Sequence, residues 1–169
     1  MSQILGERLP ERAMRYLQVG RLVILATVDE RGCPDTCPIS WIVALDPSTV
    51  RFAVSKEVNT YRNLQHNDSV MISLLGGAMT LGIRGRARII AEEIDGLPLP
   101  MAMVEVAVSE VKDDSVIGRG TEGRLIRWEE RRRSISDIRV EQALRGTGVR
   151  TDRLDSFTPA QQDRYLADY

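Results

Sequence analysis

The sequence predicts a mainly β chain: a β-barrel core of six antiparallel strands with peripheral helices and a helical C-terminal region. Three observations predict it. Short apolar or alternating runs recur between Arg21 and Val111, separated by turn residues. A single helical segment interrupts them near Tyr61. From Thr121 onward the chain changes to arginine-rich sequence with helical spacing and caps.

Taken in order, Leu9, Ala13, Tyr16 and Leu17 fall near one face of a helix, with Pro10 suited to its first turn and Gly20 placed to end it. The run Arg21 to Glu30 is apolar, rich in β-branched residues and too short for most helices. It reads as a strand buried on both faces. Thr36 to Leu45 reads as one second strand, and Asp46 to Thr49 as a turn into a third, Val50 to Ser55. There Val50, Phe52 and Val54 alternate with Arg51, Ala53 and Ser55. Three strands joined by short turns predict a meander. In the next segment Asn59 or Thr60 is a candidate helix cap, Tyr61 and Leu64 share a face, and Asn67 is a candidate terminator.

Ser69 to Leu75 then alternates Val70, Ile72 and Leu74. The run from Met79 places Leu81, Ile83, Ala87 and Ile89 on one face and Arg84, Arg86 and Arg88 on the other. After a Gly/Pro-rich break, Met101 to Val111 gives the sixth strand, with Val104, Val106 and Val108 to one side. In the C-terminal region Ser134 or Ser136 caps a helix that Gly146 stops, and TPAQQDRYLADY reads as a last helix. The expected organisation is a single domain: residues 1–20 an N-terminal helix, 21–112 the barrel and 119–169 the helical region.

With 169 residues, 43% hydrophobic and 28% charged, the chain is large enough to bury a core without disulfides or a structural metal. A net charge of −1 points to no polyanionic partner. No apolar run approaches the roughly 20 residues that span a bilayer, and the N-terminus lacks a hydrophobic signal core, so the expected address is the cytoplasm and no membrane is expected. Cys33 and Cys37 read as small edge or buried residues, because the single histidine, His66, completes no zinc tetrahedron with them. No metal site is expected. Glu92-Glu93 and Asp113-Asp114 read as exposed strand ends, and no Ser/His/Asp or Cys/His constellation identifies a catalytic residue.

The segment from Leu22 to Ile90, about 70 of the 169 residues, resembles the pyridoxamine phosphate oxidase-like superfamily of FMN-binding split β-barrels. The likeness is carried by ILATVDE from Ile24, Gly32 and Pro34 in the following turn, Pro38-Ile39-Ser40-Trp41, Phe52 to Ser55, TYRNLQHNDSV from Thr60 and GIRGRARII from Gly82. Its weight lies in the order and spacing of these pieces. The resemblance implies a six-stranded antiparallel split barrel and a homodimer with FMN in clefts between subunits. It implies that Ser55, Lys56, Asn59 and Thr60, with Arg62 a turn away, hold the phosphate, and that Ser40 and Trp41 border the flavin. Free backbone N–H groups and the positive dipole end of a helix suit a phosphate dianion there.

The chain also departs from the family pattern. Where many relatives place a serine and a second basic residue before this helix, it has Glu57 and Val58, then Asn59 and Thr60. Losing one charge-assisted hydrogen bond weakens FMN by roughly an order of magnitude or more. The implied activity is an FMN-dependent oxidoreductase acting on a small molecule. Vitamin B6 oxidase activity is not expected, because the arginine-and-histidine motif that takes the substrate phosphate is absent from the C-terminal RLDSFTPAQQDRYLADY. The alternative is a non-catalytic flavin-binding, sensing or protein-interaction protein; a haem or deazaflavin binder is a third reading.

Plain readings stand beside these roles. Lys56 also reads as a solvated turn residue, Thr60 as a cap, Trp41 as barrel core and His66 as a surface residue at a helix end. Between Arg119 and Arg153 lie ten arginines and six acidic residues, an interleaving that reads as a solvated or interdigitated helical surface rather than a nucleic-acid face.

Overall fold

A computed structural model describes residues 3–76, 79–97, 99–115 and 134–147. The expected helical segments between Thr121 and Arg133 and in the C-terminal TPAQQDRYLADY lie outside the described residues. Eight strands and three helices are described: β1 (Gln3–Gly6), α1 (Glu11–Tyr16), β2 (Val23–Val28), β3 (Pro34–Ile39), β4 (Ile42–Asp46), β5 (Thr49–Ser55), α2 (Asn59–His66), β6 (Ser69–Gly76), β7 (Met79–Ala91), β8 (Met101–Asp113) and α3 (Ile135–Arg145).

The strands pair antiparallel in the order β3-β2-β6-β7-β8-β5-β4, with β1 added to β8. The two ends of that order, β3 and β4, are neighbours in sequence, joined only by Ser40 and Trp41. A sheet whose ends are tied by two residues must curl until they meet. No ladder forms between them among the described strands, so the barrel is split at this seam. Its interior is packed by Leu25, Phe52, Ile72, Leu81, Ile83 and Val104, with Leu9, Ala13 and Leu17 from the α1 region and Tyr61 and Leu64 from α2 closing over it.

The fold class is the mainly β split barrel with peripheral helices that the sequence predicts, with eight strands instead of six. One addition is β1. The other arises because the run Thr36 to Leu45 is two strands. Ile39 and Ile42 are both buried, a spacing of three that a period-two strand cannot keep on one face, and the chain crosses between them from one sheet end to the other. The expected meander fails for the same reason, since β3 pairs with β2 and β4 with β5.

The expectation that the Arg21–Glu30 run is buried on both faces is corrected as well. In β2, Val23, Leu25 and Thr27 are buried, while Ile24, Ala26 and Val28 on the outer face are half-exposed. In β4 the situation is reversed, with Ile42, Val43 and Ala44 all buried. Here the outer face is covered by α3. Val140 and Leu144 pack with Val43, Ala53, Ile94 and Met101 in a second cluster, flanked by Trp41 and Met103.

Of the helix ends, Ser134 and Gly146 serve as read from sequence. Ser134 and Asp137 form a reciprocal capping box, and Gly146 closes α3 at φ 70°. Asn59 and Thr60 are not caps. The cap position of α2 is Val58, which offers no side-chain acceptor, so both candidates sit inside the first turn, and Asn67 terminates the helix. Helix α1 begins after Pro10 and ends before Leu17, leaving Gly20 in the following turn at φ 92°.

Candidate functional site

Strand β5 ends at Ser55, opposite Met101 of β8, and the chain turns through Lys56 and Glu57 into α2. The Ser55 hydroxyl accepts from the Glu57 backbone N–H at 3.2 Å, and the Lys56 N–H donates to the Pro100 carbonyl at 3.2 Å. These bonds fix the turn and aim α2. Because Val58 supplies no capping oxygen, the first backbone N–H groups of α2 remain open to an external acceptor. Ser55, Lys56 and Asn59 border this helix start, and Arg62 reaches back to it, its Nη1 3.4 Å from the Asn59 Oδ1. Thr60 faces inward and is only 2% exposed.

Lys56 is not a bare solvated cation. Its Nζ lies 3.1 Å from Glu92 Oε2 and 5.6 Å from the centroid of the Tyr61 ring. The same Glu92 oxygen accepts the Tyr61 hydroxyl at 2.6 Å. Hydrogen bonds from Tyr61 and then Lys56 hold the Glu92 carboxyl below the usual carboxylate range. The Glu92 carboxylate in turn raises both Lys56 and Tyr61. Sequence reading did not bring these residues together: it placed Glu92 at an exposed strand end and Tyr61 on a helix face with Leu64, and both placements hold. Only the register reveals the cluster: β5 and β7 flank β8 on opposite sides, with Ser55 opposite Met101 and Ala91 opposite Met103.

Ser40 and Trp41 lie across the seam rather than at the start of α2. Their carbonyls accept from Gly20 (2.8 Å) and Ala53 (2.9 Å). The Trp41 indole Nε1 donates to Asp137 Oδ1 at 2.7 Å, tying the seam to α3. Trp41 therefore contacts the second cluster.

A cleft of about 310 Å³ opens on the outer face of the sheet, lined by apolar Ala26, Val28 and Met71 and by polar Arg84, Arg86 and Ser109. None of the candidate residues lines it. Arg84 pairs with Glu110 at 3.3 Å and Arg86 with Asp68 at 2.6 Å, while Arg88 turns to Glu105. Helix α2 is moored beside the cleft by Asn63, whose Nδ2 donates to the buried Thr27 hydroxyl at 3.0 Å. Cys33 is exposed, Cys37 half-buried, and both are free. Among the described residues no group of three or more His, Cys, Asp or Glu is placed to hold a metal ion. His66 ends α2 in an exposed position.

An antiparallel β-barrel split at one seam defines the class of fold. The family profile of pyridoxamine 5'-phosphate oxidase matches residues 9–114, and the chain belongs to that family. No curated protein matches the sequence. Among solved structures, a protein of Lactobacillus delbrueckii provisionally named a pyridoxamine 5'-phosphate oxidase superposes with a TM-score of 0.55 at 22% identity, covering 66% of this chain and 98% of that one. A structure named F420 reductase gives 0.52 at 21%, covering 61% and 98%. A variant of HupZ from Group A Streptococcus gives 0.51 at 21%, covering 62% and 98%. At these identities the likeness is one of fold. Among the described residues no helix is long and apolar enough to cross a membrane.

The residues present fit a phosphate group. An open helix start, a hydroxyl at Ser55, an amide at Asn59 and an ammonium at Lys56 make a donor set suited to a dianion. The acidic neighbours Glu57 and Glu92 oppose it.

Proposed function

We propose that this chain binds FMN and acts as a flavin-dependent oxidoreductase on a small molecule, as a homodimer in the cytoplasm. The observation that carries the reading is the uncapped start of α2 beside Ser55 and Lys56, in a chain of the pyridoxamine 5'-phosphate oxidase family. Ser55, Lys56, Asn59 and the first α2 amides hold the phosphate; Arg62 adds long-range positive charge, while Thr60 is buried in the first turn. When bound, FMN supplies hydride or electron transfer through its isoalloxazine ring. The protein's part is binding, orientation and exclusion of water.

The dimer has a physical motive in the half-exposed apolar outer face of β2 and β6. Ile24, Ala26, Val28 and Met71 lie side by side on adjacent strands and leave surface that a second barrel would bury. Such a partner would also cover the cleft lined by Arg84 and Arg86 and make it a place for the substrate. A role for α3 in nucleic-acid binding finds little support, since Arg139 donates to the Gly96 carbonyl and Arg145 pairs with Glu141. Vitamin B6 oxidase activity stays outside the proposal on the C-terminal sequence.

The second reading, a non-catalytic binding protein on the same barrel, is favoured by Glu92, which already occupies Lys56. Titrating FMN and riboflavin into the wild-type protein and a Lys56→Ala variant tests the phosphate site. We expect FMN affinity to fall about tenfold or more with riboflavin little changed. Unchanged FMN affinity would sink the assignment.

A further inference from the structure

The carboxylate of Glu92 stands where a second anion is least welcome. It touches Lys56, a cation in the turn that leads into α2, and is held in place by the hydroxyl of Tyr61, the third residue of that helix. It comes from a different strand end, so it is no part of the helix's own capping. Its side chain is 64% exposed.

We propose that Glu92 is an internal competitor for the phosphate: it occupies Lys56 and repels the incoming dianion, setting the site's selectivity between phosphorylated and unphosphorylated flavin. The proposal rests on the reading that the phosphate binds at the start of α2. Two effects act in the same direction. Lys56 must release or share its contact with Glu92 to reach the phosphate, and the carboxylate remains a like charge beside it. Tyr61 opposes an easy escape, because the short hydrogen bond from its buried ring keeps the carboxylate at the first turn. Riboflavin, which carries no phosphate, meets neither obstacle. The opposite role, with Glu92 orienting Lys56 toward the phosphate, predicts the opposite sign.

The test measures dissociation constants of FMN and of riboflavin, by flavin fluorescence, for the full-length wild type, Glu92→Gln, Lys56→Ala and the double variant. Competition predicts that Glu92→Gln binds FMN about three- to tenfold more tightly while riboflavin is unchanged, and that the gain shrinks in the Lys56→Ala background. Tyr61→Phe, which keeps the ring and removes the donor, moves FMN in the same direction by less. If Glu92→Gln binds FMN equally or more weakly while Lys56→Ala still weakens it, the competition is overturned and the phosphate site stands. If Lys56→Ala leaves FMN affinity unchanged, the phosphate site itself falls, and the competition with it.

Discussion

Gly85 and Gly82 lie on the same strand three residues apart, yet they bear on the barrel differently. A Cβ on Gly85 would lie 2.5 Å from the Ala107 carbonyl oxygen and from Val106 Cγ1, so backbone of β8 blocks it. A Cβ on Gly82 would meet only side-chain ends, chiefly those of Lys112 and Met71, which can move. Gly85→Ala should therefore cost about 1–3 kcal/mol in a denaturant titration and Gly82→Ala clearly less. A second residue-scale prediction concerns Glu105, held below the usual glutamate range first by its hydrogen bonds from Arg51 and further by Arg88. A carboxyl lowered by folding adds stability that is full above its unfolded value and is lost as pH falls through the lower folded value. The stability advantage of wild type over Arg51→Met should thus be full near neutrality and shrink in acid, below about pH 4.5. It should not vanish, because Arg51 also donates to the Leu144 carbonyl. An advantage independent of pH would contradict the assignment. Such pairs were not legible in sequence, where Arg51 and Glu105 are merely outward residues of alternating strands.

Helix α3 is attached to the barrel by a few identifiable bonds. Asp137 is 4% exposed; one carboxylate oxygen accepts from Trp41, and the other closes the capping box with Ser134. Replacing Asp137 by alanine removes both, and should cost about 1–3 kcal/mol, read as lost amide-exchange protection over Ile135–Arg145 with β7 and β8 unaffected. Equal loss across the barrel would show that α3 is integral to its cooperative unit. At this scale legibility follows locality. Ser134 and Gly146 were readable as α3's ends because a cap depends on residues three or four apart. The break between β3 and β4 was not, since Thr36 to Leu45 carries an unbroken strand-like pattern and only closure of the sheet forces the crossing at Ser40-Trp41. The missed cap of α2 belongs to the same class: Asn59 and Thr60 have the right chemistry, and the helix simply starts one residue earlier, after Val58.

Across the whole molecule, a mainly β barrel was legible from six runs of the right length and period, and that it is split was implied by the family resemblance, which rests on the order and spacing of those runs. Residue groups that converge only through the fold were less visible: the Lys56–Glu92–Tyr61 cluster, and the outer face of β2 and β6, whose exposure corrects a strand read as fully buried. That face carries the homodimer prediction. An Ala26→Asp/Met71→Asp variant should run as a monomer in analytical ultracentrifugation where the wild type runs as a dimer, and a wild-type monomer would remove the intersubunit cleft from the account. On the proposed reading, the open start of α2 binds the flavin phosphate despite its acidic neighbours. The most direct measurement is the visible spectrum of the natively purified protein, with the mass of whatever small molecule it releases. A flavin spectrum with FMN at about one per subunit is the expected result. A colourless protein that also fails to take up added FMN would contradict it.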